Sequence, residues 1–118
     1  MKNVMGKLKK KLKQKLSNPV KDFDKFYLEP WVIKGVVSDK QWIDQKEFNI
    51  TFEDNTGTII IKAYGDKGEL LDTLSVKGKE YYISNINDKA HQSYKSMFTV
   101  HNVYIKNLAY LVVFNDVN

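Results

Sequence analysis

Two residue types are missing altogether: the 118-residue chain has no cysteine and no arginine. Without cysteine, disulfides, thiolate metal sites and cysteine nucleophiles are excluded, and nothing ties the chain to an oxidising compartment. Without arginine every strong cation is a lysine. The bidentate fork that reads guanine is then unavailable, so any nucleic acid would be gripped with little regard to its sequence. Apolar runs are short, and none approaches the roughly 20 residues that a membrane-spanning helix needs. The N-terminus is basic but has no continuous apolar stretch and no small-residue cleavage site, which argues against a secretory signal and for the cytoplasm. Catalytic groups are equally sparse. His91 and His101 are the only histidines, and no carboxylate cluster at metal-ligand spacing accompanies them. The nucleophile elbow G-x-S-x-G, the phosphate loop G-x-x-x-x-G-K-[ST] and the dinucleotide fingerprint G-x-G-x-x-G are all absent. No enzymatic activity, cofactor or metal is expected.

What is present is unevenly spread. The net charge is +5, yet residues 1–21 hold eight lysines and no acid. The other 97 residues hold 11 lysines against 14 acids, or −3. A slightly acidic body therefore follows a basic arm, and the chain divides at residues 1–19 and 20–118. In the arm, Leu8, Leu12 and Leu16 recur every four residues among lysines, which predicts a basic amphipathic helix. Such a segment suits phosphate binding, a membrane surface or self-assembly, and a solvated terminus fits it as well. Three leucines are a thin stripe for holding a membrane, so no membrane partner is expected. Asn18-Pro19 ends the segment, because proline cannot continue a helix and restricts the residue before it.

The body reads as strands. Phe48, Ile50 and Phe52 alternate with polar residues, Asp54-Asn55-Thr56-Gly57 supplies turn chemistry, and Thr58 to Tyr64 returns. With Ile59, Ile61 and Ala63 inward, Thr58, Ile60, Lys62 and Tyr64 share the other face. Upstream, Phe23, Phe26 and Tyr27 predict a turn or short helix packing on the body. Trp31 to Ser38 reads as the first strand, with Gly35 marking a bulge or bend. Asp39 to Lys46 reads as a polar loop carrying Trp42. After the hairpin, Glu69 to Val76 predicts a short helix with Leu70, Leu71 and Leu74 inward. Glu80 to Ile86 and Met97 to Tyr104 are the fourth and fifth strands, separated by a polar loop. Leu108 to Phe114 is a further apolar strand or tail that closes the core. The expected class is all-β: a five-stranded OB-fold barrel, with a short helix between strands three and four and a helical N-terminal arm.

W-V-I-K-G-V-V-S-D-K, F-N-I-T-F-E-D-N-T-G-T-I-I-I-K-A-Y, K-E-Y-Y-I-S-N-I and K-S-M-F-T-V-H-N-V-Y, spanning roughly residues 30–106, resemble single-stranded-DNA-binding OB domains. The pattern is similar to the DNA-binding domains of the replication protein A large subunit. In that family stacking aromatics lie at the end of the third strand and the start of the fifth, which implies Tyr64 and Phe98 here. Its first inter-strand loop also carries contacts, which implies Trp42. Its basic contacts are poorly matched, with Lys62 standing alone beside Tyr64. Size, lysine-rich arm and composition also resemble the small single-strand-binding proteins of lactococcal-type phages, which implies a host cytoplasm, single-stranded DNA as partner, a recombinase or other replication proteins as further partners, and a homo-oligomer. The acidic recruiting tail of bacterial single-strand-binding proteins has no counterpart in F-N-D-V-N.

Sequence-independent binding of a single strand needs rings on which bases stack and cations for the phosphates. The ring candidates are Trp42, Tyr64, Tyr94, Phe98 and Tyr104, and the nearest lysines are Lys40, Lys62 and Lys95. Trp31, Phe48, Phe52 and Phe114 are in phase with the buried sets and belong to the core. The expected function is non-catalytic single-stranded DNA binding in replication or recombination. The alternatives are an RNA-binding OB module, since stacking does not distinguish the sugars, and a protein-interaction OB domain, since the body is acidic.

Overall fold

The computed structural model describes residues 17–85 and 97–117. The basic arm through Leu16, and the polar stretch 86–96 with Tyr94 and Lys95, lie outside those residues. Six strands form a closed barrel: β1 (Val32–Trp42), β2 (Glu47–Glu53), β3 (Thr58–Tyr64), β4 (Glu80–Asn85), β5 (Met97–Ile105) and β6 (Leu108–Asp116). Their order around the barrel is β1-β2-β3-β5-β6-β4, and every neighbouring pair is antiparallel. The expected strand count of five is thus corrected to six. An odd number of strands cannot alternate direction all the way round a closed ring. The run Leu108–Phe114 becomes β6, lies between β5 and β4, and makes the alternation complete. Its Val112, Val113 and Phe114 are buried, which is what the apolar run was for.

The core follows the period-two pattern. Phe48, Ile50 and Phe52 of β2 and Ile59, Ile61 and Ala63 of β3 face inward and are buried. Removing a ring such as Phe52 would cost about 3–5 kcal/mol, because the barrel interior cannot collapse around the void. The β2–β3 turn is fastened by Asp54, whose Oδ1 accepts hydrogen bonds from Thr56 N at 2.7 Å and Gly57 N at 3.0 Å. This is the local side-chain-to-backbone turn that aspartate favours.

Strand β1 is longer than its apolar stretch predicts. A bulge lies between Val37 and Asp39, which pair with the adjacent β2 residues Phe52 and Thr51. The extra residue, Ser38, donates its hydroxyl to Thr51 O at 3.3 Å. Past the bulge the phase inverts, so Lys40 stands opposite Ile50 and Trp42 opposite Phe48. Directly opposed residues share a face, so Trp42 sits on the inner side of a strand and not in a polar loop. Gly35 is not the bulge. A Cβ there would meet Glu53 O at 2.3 Å, so glycine permits β1 and β2 to approach closely where the barrel coils.

Two plugs cover the ends of the β2–β3 hairpin. A 3-10 turn (Val20–Asp22) and α1 (Phe23–Phe26) lie near the turn end and bury Phe23 and Phe26 against Trp31. At the other end Gly65, with φ +56, turns the chain from β3 into α2 (Asp66–Leu74). The helix begins three residues before the expected Glu69, and of the three leucines expected inward Leu71 is fully buried, Leu74 is half-buried and Leu70 is 36% exposed.

Candidate nucleic-acid interface

The outward row of β3 is Thr58, Ile60, Lys62 and Tyr64, as the alternation requires. Across the hairpin these residues oppose Glu53, Thr51, Asn49 and Glu47 of β2. On the other side Lys62 pairs with Tyr104 of β5. The rings of Tyr64 and Tyr104 meet edge to face, with centroids 5.4 Å apart and an interplanar angle of 75°. Tyr64 is 45% exposed and Ile60 41%. The edge of one ring therefore fixes the orientation of the other, and the outer face of the barrel presents a propped aromatic plate with an aliphatic shelf beside it. Ile60 is not among the candidate rings and lysines. Its signal in the sequence was a large apolar residue in the outward row.

Lys62 is the one lysine in this row, and its ammonium lies 3.9 Å from Glu47 Oε2. Glu47 and Glu53 mark the two ends of the β2 outward row. Among the described residues, six of the ten lysines are ion-paired: Lys25, Lys40, Lys62, Lys77, Lys79 and Lys106. The face is suited to stacking, and its cation supply is small.

The other predicted contacts are placed elsewhere. Trp42 tilts over Phe48 at 5.0 Å and donates its Nε1 hydrogen to Asp72 Oδ2 of α2 at 2.9 Å. Lys40 donates to Asp72 O and Ser75 O, both at 2.7 Å, and pairs with Asp72 Oδ1 at 2.9 Å. Those carbonyls are at the C-terminal end of α2, where a cation is favoured by the helix dipole and by the unpaired acceptors. Hydrogen bonds from Lys40 and then Trp42 hold the Asp72 carboxyl below its ordinary pKa. Trp42 and Lys40 therefore clamp α2 onto the barrel. Phe98 lies on the core side, stacked on Phe114 with centroids 4.6 Å apart and rings 8° from parallel, and edge-on to Tyr81 at 6.1 Å. Of the eight proposed contacts the structure gathers Tyr64, Tyr104 and Lys62 on one face, gives Trp42, Lys40 and Phe98 packing partners, and leaves Tyr94 and Lys95 outside the described residues.

Among the described residues no cluster of histidine and carboxylate side chains could hold a metal ion, and no helix is long and apolar enough to cross a membrane. Comparison with protein-family models, with curated proteins and with solved structures finds no match to this chain.

Proposed function

We propose that this chain is a non-catalytic, largely sequence-independent single-stranded-DNA-binding protein of the OB type, serving replication or recombination. The observation that carries the reading is the exposed Tyr64 ring at the end of the outward row of β3, braced edge to face by the half-buried Tyr104 of β5 and standing beside Lys62. The faces of strands two and three are where OB barrels take oligonucleotides. The order β1, β2, β3, α2 and β4 is consistent with the OB plan, and the closed barrel holds one strand more than that plan. A single strand exposes the planes of its bases, and stacking on tyrosine grips any of them, at about 1–3 kcal/mol per base. A duplex hides those planes, so the same face discriminates against it. The absence of arginine fits a binder that does not read guanine edges.

The test is an equilibrium titration monitored by intrinsic fluorescence. Oligothymidine of about 20 nucleotides, longer than the roughly 4–16 that one such barrel covers, is compared with a duplex and with oligouridine of the same length. Single-stranded DNA is expected to bind at least about tenfold tighter than duplex, with quenching of the aromatic emission. Equal affinity for duplex would contradict stacking. A clear preference for oligouridine would move the assignment to RNA, through contact with the 2′-hydroxyl. A protein-interaction role draws on the −3 body charge, and it would be favoured by no binding of any strand at low salt.

A further inference from the structure

We infer that the single strand proposed to stack on Tyr64 runs on past Ile60 into a second subsite. This is the cleft between α1 and the β5–β6 turn, where Tyr27 takes a base and Lys106 the adjoining phosphate. The inference rests on the stacking reading above and extends its footprint. In the outward row of β3, Tyr64 and its brace Tyr104 mark one end, and the exposed Ile60 lies four residues away. From the Lys62–Tyr104 pair, two steps along each antiparallel strand bring Ile60 level with Lys106, just past the end of β5. The 3-10 turn before α1 is fastened at the same end of the hairpin, with Lys21 N donating to Thr56 Oγ1 at 3.1 Å. The outward row therefore leads towards the cleft.

That cleft holds the parts a nucleotide needs. It is lined by Phe23, Asp24, Tyr27, Lys106 and Leu108, and its volume of about 440 Å³ is within the range of ligand pockets. Tyr27 is half-buried and backed by Phe23, with centroids 6.4 Å apart and rings 26° from parallel, which steadies a plate for one base. Leu108, 42% exposed, gives an apolar flank. Lys106 supplies the cation from an unusual position. Ile105 pairs with Leu108, so Lys106 and Asn107 are the two central residues of a hairpin turn, with φ 51 and 68. Asparagine, aspartate and glycine suit such a turn. A lysine there bears backbone strain, of the kind that persists at ligand sites. Its ammonium lies 2.8 Å from Asp24 Oδ1, but the two side chains are 50% and 72% exposed. A bridge so open to water is worth little, and a phosphate can displace the carboxylate. From Tyr64 to Ile60 is about 13 Å of strand. That is about four nucleotides at the roughly 3.4 Å spacing of a stacked strand, in keeping with the roughly 4–16 that one such barrel covers.

The experiment uses the full chain and measures oligothymidine affinity between about 50 and 200 mM salt. Lys106→Asn removes the charge and relieves the turn, so its melting temperature is expected to equal or exceed that of the wild type. Its affinity at about 50 mM salt is expected to fall about 3- to 10-fold, and its slope of log K against log salt to shrink by about 0.7, the share of one phosphate contact. Lys106→Gln, which keeps the strained turn, shows the same loss of slope. Tyr27→Leu keeps apolar packing and loses the plate, so affinity falls at least about fivefold with the slope unchanged. Lys77→Gln, which removes an equal charge beside Asp39, keeps the wild-type slope. Wild-type affinity and slope in both Lys106 variants, or an equal loss of slope in Lys77→Gln, would overturn the inference and leave stacking on Tyr64 standing. Wild-type protein that binds no oligothymidine would overturn both.

Discussion

Tyr64 is exposed because of parity: Ile59, Ile61 and Ala63 claim the inside of β3, and the ring two positions beyond Lys62 has nowhere else to go. That made it readable from alternation alone. Tyr104 was harder, because β5 carries its own irregularity between Val100 and Val103, with Asn102 at φ 54, and period-two counting fails across it. Phe98, which the resemblance implies as a stacking ring, has Phe114 as its strand neighbour on β6, and the two flat apolar faces in register pack on each other. Asp54 shows a residue whose turn role the sequence announced while its wider role was hidden. Its carboxylate accepts from Thr56, from Gly57 and from Val20, which is 34 residues away in the chain. Burial alone would raise its pKa, but the bonds from Thr56, Val20 and Gly57 together outweigh burial and hold it below 3.8. A folded-state pKa below the unfolded one means stability that is fully present above the unfolded value, near 4, and lost as pH falls through the folded value. Thermal melts should therefore be flat from neutrality down to about pH 5 and fall below about pH 4. Asp54→Ala, which leaves backbone donors unpaired, should cost about 1–3 kcal/mol at neutral pH and weaken the acid limb. An unchanged melting temperature for this variant at neutral pH would show that the turn does not depend on its carboxylate.

At the scale of elements, β2 and β3 were legible, because their alternation is uninterrupted and the turn between them carries Asp, Asn and Gly; of α2 only its existence was, since it starts at Asp66 rather than Glu69 and fully buries Leu71 alone of its three leucines. The far end of β1 was not. Its last residues, Asp39 to Trp42, are polar in composition, and only pairing with Thr51, Ile50, Asn49 and Phe48 makes them strand. The bulge at Ser38 is a one-residue insertion that no local propensity reports, and it redirects Lys40 and Trp42 from the outer face to the barrel end. There they secure α2: Trp42 by its indole hydrogen bond to Asp72 and its closeness to Gly68, where a Cβ would lie 3.1 Å from the Trp42 ring, and Lys40 by bonds to two terminal carbonyls. Trp42→Ala should lower the unfolding free energy by about 2–4 kcal/mol, at or below the usual cost of a large-to-small change because the ring is partly exposed. Denaturant titration measures this. Trp42→Phe should recover the packing but not the hydrogen bond, and so fall between the two. A Trp42→Ala protein as stable as wild type, with oligothymidine binding lost, would instead return Trp42 to the binding surface.

On the scale of the whole molecule, charge is divided unevenly along the chain. The barrel, closed by six alternating strands, carries the rings and an excess of acid; the basic excess of the chain precedes it. The charge split could be counted from the sequence, whereas the position of the arm's root beside the β2–β3 turn could not, because it depends on long-range bonds from Val20 to Asp54 and between Asn18 and Val32. Stacking on the β2–β3 face is tested most directly by the affinity of a Tyr64→Ala, Tyr104→Ala double variant for oligothymidine at fixed salt, with circular dichroism to verify the fold. Two stacks at about 1–3 kcal/mol each predict an affinity at least about 30-fold below wild type, with the salt slope unchanged. A folded double variant that binds within about threefold of wild type, a difference of less than about 1 kcal/mol, would contradict the assignment of this face.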